Sequence, residues 1–383
     1  MVIGINALSI TPDSTGGGTT YILELINQLS KIDSENKYII FIRKDSAHHF
    51  NSYSTNFIIV KIFMPARFSV AFRVLIDLLF ISFIALKYEL DVLFCPIDSI
   101  PIWTPCASVM VIQNLLYFHD ELNPAKHIGK RRFHSKVRFW YYKQITLRSA
   151  LRADKIITVS ENAKREIIDY FRIDDSKVSV AYHGIGKHFR NIHDETENID
   201  GYILYVGALL PYKNIESILF AVSELKNRNL LTCKVNIVGP DYYEYKPKLR
   251  SLADELGISD VVVFSGYIPY EKLPLIYQKA NLFVLLSRCE SFGMPVLEAM
   301  QSGCPVVCSN LSSLPEIVGD AGVLVDPDDV KETADAMERI LMDEKYRKRL
   351  VSKGKLRAKE FSWEKTARQT LEAMKQAFDF YSG

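Results

Sequence analysis

Cysteine is scarce in this chain. Six occur in 383 residues, at Cys95, Cys106, Cys233, Cys289, Cys304 and Cys308, too few for a disulfide scaffold. None forms a C-x-x-C pair and no histidine spacing completes a zinc site. Most lie in or beside apolar runs (VLFCP, PVVCS) and read as buried, reduced thiols. An excess of one charge is also missing. Forty-seven Lys and Arg against 45 Asp and Glu leave a formal charge of +2, so bulk nucleic-acid binding is not indicated. Long hydrophobic runs are absent too. The most apolar stretch, Val74–Leu86 (VLIDLLFISFIAL), contains Asp77 and falls short of the roughly 20 apolar residues of a membrane span; it reads as a buried helix. The opening MVIGINALSI lacks a basic leader and reads as a strand. The expectation is a cytoplasmic chain, soluble or held at the inner face of the cytoplasmic membrane.

What is present is an ordinary globular composition, 48% apolar and 24% charged, with 20 Tyr and 21 Phe to fill cores. The length suits two or three domains. VIGINAL, KYIIFIR, FIIVKIF, DVLF, ASVMVIQ, KIITVS and KVSVAY are strand-like runs. A first helix carrying Tyr21, Ile22, Leu25, Ile26 and Leu29 on one face, and helices near 69–87, 134–152 and 161–171, separate several of them. Residues 186–200, polar and aperiodic, read as a linker. A second series follows: YILYVG, CKVNIVG, VVVFSG, NLFVLL, PVVCS and GVLV, with helices near 214–229, 246–257, 270–280, 294–302, 330–342, 344–360 and 363–381. Near-continuous apolar strands alternating with helices predict an α/β chain of two doubly wound parallel sheets. Their ligands are expected beyond the carboxyl ends of the strands.

The most informative segment is SRCESFGMPVLEAMQSGCPVVCS, residues 287–309. Glu290 and Glu298 stand eight positions apart around a Gly-Met-Pro turn that opens a helix. A helix start offers free N–H groups and a positive dipole end to a diphosphate. Glu298, a turn further in, is placed to accept from ribose hydroxyls, and Glu290 from a sugar. E-S-F-G-M-P-V-L-E followed by A-M-x-S-G-x-P-V-V resembles the E-x7-E signature of retaining glycosyltransferases of family 4, whose GT-B fold sets two Rossmann-like domains across a cleft.

The resemblance implies that Glu290 contacts the donor hexose and Glu298 the donor ribose, with the backbone of Phe292, Gly293, Met294, Pro295, Val296 and Leu297 lining sugar and diphosphate. In YVGALLPYKNIESIL, Lys213 matches the lysine that neutralises the leaving diphosphate. Ala208 and Tyr212 stand where relatives often carry Arg, so the clamp is one cation short. Gly16, Gly17 and Gly18 match the Gly-rich turn after the first strand, and Tyr267 and Ile268 the segment passing the base. In VIQNLLYFHDE, either the amides of Gln113 and Asn114 replace the family histidine on the acceptor or sugar side, or His119 swings in. The implied domains are 1–185 on the acceptor side, a linker at 186–200, a nucleotide-sugar domain at 201–362, and a final helix, 363–383, packing back on the first domain.

Residues 126–155 hold ten basic side chains (Lys126, Lys130, Arg131, Arg132, Lys136, Arg138, Lys143, Arg148, Arg152 and Lys155) against one acid, Asp154, with aromatics interleaved. A solvated helix with one core stripe and an interfacial helix on anionic lipid both fit; no nucleic-acid motif accompanies them. The implied function is transfer of a hexose from a nucleoside diphosphate sugar, UDP- or GDP-linked, to a hydroxyl of a glycan or lipid-linked acceptor in surface polysaccharide synthesis, with retention and with neither metal nor cofactor. The alternatives are a catalytically silent GT-B scaffold and a GT-B sugar-nucleotide epimerase.

Overall fold

The computed structural model describes residues 1–13, 16–50, 53–63, 79–122, 132–190 and 201–383. Residues 69–78 of the helix expected over 69–87, residues 191–200 of the expected linker, and Lys126, Lys130 and Arg131 lie outside them. So do the side chains of Arg132, Lys136 and Arg138.

Two compact units emerge. The first comprises Met1–Phe118, Lys136–Gly184 and Ser362–Gly383, the second His119–Ser135 and Ile185–Phe361. In the first, seven strands run β1 (Val2–Asn6), β2 (Lys37–Arg43), β3 (Phe57–Ile62), β4 (Val92–Cys95), β5 (Ala107–Ile112), β6 (Lys155–Thr158) and β7 (Val178–Val180). All are parallel, in the order β3-β2-β1-β4-β5-β6-β7. Every residue of β4 and β5 is buried, as expected for strands covered on both faces. The final helix, Trp363–Ser382, packs on the helix Gly17–Ile32. Trp363, Ala367, Met374 and Ala377 enter the same core as Tyr21, Leu25 and Val111. Their spacing of three to four, or its multiples, makes one helical face.

The second unit has six parallel strands: β8 (Tyr202–Val206), β9 (Val235–Val238), β10 (Val262–Gly266), β11 (Ala280–Leu285), β12 (Val306–Ser309) and β13 (Val323–Val325). Their order is β10-β9-β8-β11-β12-β13. In each sheet the order reverses direction at one pair, β1–β4 and β8–β11, and ligands of such sheets bind beyond the strand ends at that reversal. Both sheets thus match the expected doubly wound α/β class.

Element boundaries moved where local chemistry demanded it. The helix expected over 270–280 is a 3₁₀ turn, Tyr270–Lys272, followed by a helix, Leu273–Gln278. Pro274 lacks an N–H and is tolerated only in a first turn, so the helix starts beside it. A five-residue helix, Leu314–Val318, was not expected from the sequence. Residues 186–189 pack into the second unit: Phe189 is buried against the rings of Tyr270 and Tyr277. Among the described residues, no helix is long and apolar enough to cross a membrane.

Candidate functional site

The reversal point of the second sheet carries Lys213 and Glu290. The chain leaves β8 through a 3₁₀ turn, Pro211–Lys213, and leaves the adjacent β11 through the loop that holds Glu290. Lys213 Nζ donates to Glu290 Oε1 at 2.5 Å, and both side chains are close to buried, 13% and 12% exposed. Burial alone would pull the ammonium pKa down; the Glu290 carboxylate outweighs it and holds the value above the ordinary lysine range. Nζ also lies 5.1 Å from the centre of the Tyr212 ring. An ammonium has three donors, so a lysine bound to one carboxylate keeps hydrogens for a phosphate.

The loop bearing Glu290 is pinned from outside its own segment. Ser312 Oγ donates to the Glu290 carbonyl at 2.7 Å and accepts from the Glu290 N–H at 3.0 Å. Ser313 Oγ lies 2.7 Å from the Glu290 carbonyl and 2.9 Å from that of Phe292. Sequence reasoning missed both serines. Arg288, two residues earlier, donates its N–H to the Tyr212 carbonyl and grips Asp328 through both guanidinium nitrogens at 2.6 and 2.5 Å. That fork is committed to a carboxylate.

Glu298 sits in the following helix, Met294–Gln301, and is 4% exposed. Tyr270 donates to one carboxylate oxygen at 2.8 Å and Tyr277 to the other at 3.2 Å. Burial pushes its pKa up to about 7, against the lowering effect of the two hydroxyls. The tyrosines were also missed, although their spacing of seven is a helical repeat. Each oxygen of a carboxylate has a second lone pair and can accept one further hydrogen bond.

Between the two glutamates, Gly293 adopts φ +103°, open to glycine at little cost, and a Cβ there would come within 2.7 Å of Leu314. The residues of the expected lining differ in what they leave available. Val296 and Leu297 are core side chains, and their N–H groups bond to the Gly293 carbonyl at 3.0 and 3.4 Å. Phe292 is buried against Phe361, and Pro295 has no N–H. Within this turn, Gly293 and Met294 precede the N–H groups that the Gly293 carbonyl takes up. On the β8 side, β9 is followed by Gly239, where a Cβ would fall 1.8 Å from the Gly207 carbonyl; no side chain fits between these strand ends. Tyr267 is exposed and Ile268 partly buried beyond β10.

In the first unit, Gly16 has φ +104° at the start of its helix, and a Cβ on Gly16, Gly17 or Gly18 would meet nothing within 4 Å. Gln113 and Asn114 follow β5. The Gln113 N–H donates to Asp98 Oδ1 at 3.1 Å, and Asn114 Oδ1 accepts from the Leu116 N–H at 3.0 Å, closing its own turn. Burial raises Asp98 to about 7 despite the Gln113 bond. His119 lies in the second unit by its contacts and pairs through Nδ1 with Glu121 at 3.3 Å.

Residues 15–187 match the family model described as Glycosyltransferase Family 4, and residues 188–357 match Glycosyl transferases group 1. The O-antigen chain mannosyltransferase B of Escherichia coli is 34% identical over 252 residues, 63% of this chain and 66% of that protein. The serotype-specific mannosyltransferase WbdA of Escherichia coli is 30% identical over 292 residues, 72% of this chain and 34% of that one. The chain therefore spans just under two thirds of the first relative's length and about one third of the second's. The solved structure of Anabaena HepE in complex with UDP-glucose superposes with a TM-score of 0.70 at 16% identity, covering 98% of this chain and 99% of that one. With two doubly wound parallel sheets and the glutamate pair in place, and with two family models accounting for residues 15–357, this chain belongs to the family 4 glycosyltransferases and has their GT-B fold.

Proposed function

We propose that the protein transfers a mannosyl or related hexosyl group from a nucleoside diphosphate sugar to a hydroxyl of a glycan acceptor, carried on lipid, in surface polysaccharide synthesis. The observation that carries this reading is the Lys213–Glu290 pair at the ends of adjacent strands β8 and β11, with Glu298 in the helix that follows. In it, Glu290 holds the hexose, Lys213 meets the charge growing on the departing diphosphate, and the N–H groups of Gly293 and Met294 take further phosphate oxygens. Glu298 fixes the ribose. The acceptor oxygen attacks the anomeric carbon as the bond to the diphosphate breaks, and its proton passes to the leaving phosphate, so configuration is retained on one face.

The mannosyltransferase relatives support a mannosyl donor, and the UDP-glucose bound to HepE supports a UDP-linked one. Thermal-shift measurements with UDP- and GDP-linked mannose and glucose, followed by assay of nucleoside diphosphate release, separate these. A specific shift and turnover that survives EDTA are expected. No shift and no release with any of them would leave a silent scaffold as the better reading. Loss of turnover on chelation, restored by Mg²⁺, would overturn the role given to Lys213.

A further inference from the structure

In the first unit, the helix Ile81–Lys87 turns the wrong residues outward. Ile81, Ser82, Ile84 and Ala85 are buried, as the core requires, yet Phe83 is 64% exposed and Leu86 and Leu79 are exposed with it. Positions 79, 83 and 86 form one helical stripe, where a surface helix ordinarily carries polar groups. Ser82 Oγ bonds to the carbonyl of Trp103, whose own side chain is 52% exposed. Arg152 ties the same loop to the basic helix, donating to the carbonyls of Ile102 at 2.9 Å and Pro101 at 3.2 Å. Those carbonyls leave its charge unneutralised. On that helix, Arg132–Arg152, Trp140 is 62% exposed and Leu151 is exposed as well. Eleven residues apart, they lie about 20° from each other around the axis.

Charge on this surface is mainly positive, with exposed Glu89 an acid at its edge. Residues 79–88 and 132–153 contain no Asp or Glu, whereas Lys87, Arg148 and Arg152 are exposed. An exposed apolar patch marks an interaction site, and aromatic rings interleaved with basic groups suit the headgroup layer of a membrane. A second copy is disfavoured, because a two-fold contact lays the same patch on itself and would set these cations against one another.

We infer that this face docks on an anionic bilayer, with Phe83, Trp103 and Trp140 at headgroup depth and Lys87, Arg148 and Arg152 against lipid phosphates. The inference adds a lipid surface to the proposed function but does not rest on it, since vesicle binding requires no sugar transfer.

The test uses the full chain with vesicles of phosphatidylglycerol and phosphatidylethanolamine, against vesicles of phosphatidylcholine alone. The protein has three tryptophans, and the third, Trp363, is buried; a blue shift in emission therefore reports Trp103 and Trp140. Co-sedimentation and a blue shift with the anionic vesicles only, weakening with salt, are expected. Phe83→Glu and Arg148→Glu should each reduce binding about tenfold or more. The thermal shift given by a nucleoside diphosphate sugar should stay unchanged, which also shows that the variants fold. No binding at low salt, equal binding to both vesicle types, or wild-type affinity in Phe83→Glu would overturn the assignment. So would wild-type self-association that Phe83→Glu abolishes, which would make a second copy the occupant.

Discussion

Lys213 and Glu290 neutralise each other in a nearly dry place, so each is costly to remove alone. Truncating one member of such a pair strands the other charge, typically at about 3–5 kcal/mol. Lys213→Ala should therefore lower the urea midpoint as well as kcat, the latter by roughly 10²–10³, the size expected for one electrostatic stabiliser. Glu290→Gln keeps the shape and should also act on kcat, because the hexose must be held at the bond being broken. A folded Lys213→Ala protein with wild-type kcat and KM would remove Lys213 from the site. Glu298 should behave differently, since ribose hydroxyls do not change during reaction. Its carboxyl keeps a proton up to about pH 7 in the folded chain, whereas an unfolded one loses it near pH 4.5. Its contribution to stability is thus present at low pH and lost as pH rises through about 7. The ionised form is the better acceptor for two hydroxyls, so donor KM should rise as pH falls below that value. Glu298→Gln should raise KM more than it lowers kcat and flatten this arm of the KM profile. A profile unchanged by the substitution would separate Glu298 from the ribose.

At the scale of elements, the turn between β12 and the helix Leu314–Val318 matters more than its length suggests, because Ser312 and Ser313 fix the loop carrying Glu290. Ser313→Ala removes the one hydroxyl donor shared between the Glu290 and Phe292 carbonyls, worth about 0.5–1.5 kcal/mol, and loosens the loop, with Ser312 still donating to Glu290. The expected result is a kcat reduced about tenfold with donor KM little altered, restored by Ser313→Thr. An equal loss in Ser313→Thr would point to packing alone. This turn also shows where reading the sequence stops. The strands were legible because they are short apolar runs, including the edge strands β3 and β10, which are only partly buried, and Glu290, Glu298 and Lys213 could be named because they sit in local motifs. A five-residue helix starting at a proline is too short to show periodicity. The serines bond to backbone carbonyls some twenty residues away, and Tyr270 and Tyr277 to a carboxylate as distant, contacts that no local pattern encodes. Val296 and Leu297 were placed in the lining because the motif contains them; only the helix hydrogen bonds show that their N–H groups are already used.

The molecule as a whole consists of two units with separate cores, and Trp103, Trp140 and Trp363 all belong to the first. Tryptophan emission in urea therefore reports the first unit, while backbone circular dichroism reports both. Two groups in that unit, buried His183 and half-buried Asp98, titrate in opposite senses. His183 stacks edge-on to Tyr21 and lies against Trp363, and burial lowers its pKa to about 3. A base with a depressed folded pKa binds its proton only on unfolding, so its contribution is complete above its ordinary value of 6.5 and drains away as pH falls toward 3. Asp98 is the reverse. With its folded pKa raised to about 7, the native state holds a proton that the unfolded chain has released, so acidification from 7 toward 3.8 adds stability. Each contributes a slope of up to about 1.4 kcal/mol per pH unit, and between 3.8 and 6.5 the two nearly cancel. The emission-detected urea midpoint of the wild type should accordingly change little across that window. Asp98→Asn leaves the histidine unopposed and should lose stability on acidification, while His183→Phe, which keeps an aromatic ring beside Tyr21, should gain it. Parallel slopes in the two variants would mean that neither group is held in the protonation state that its burial demands.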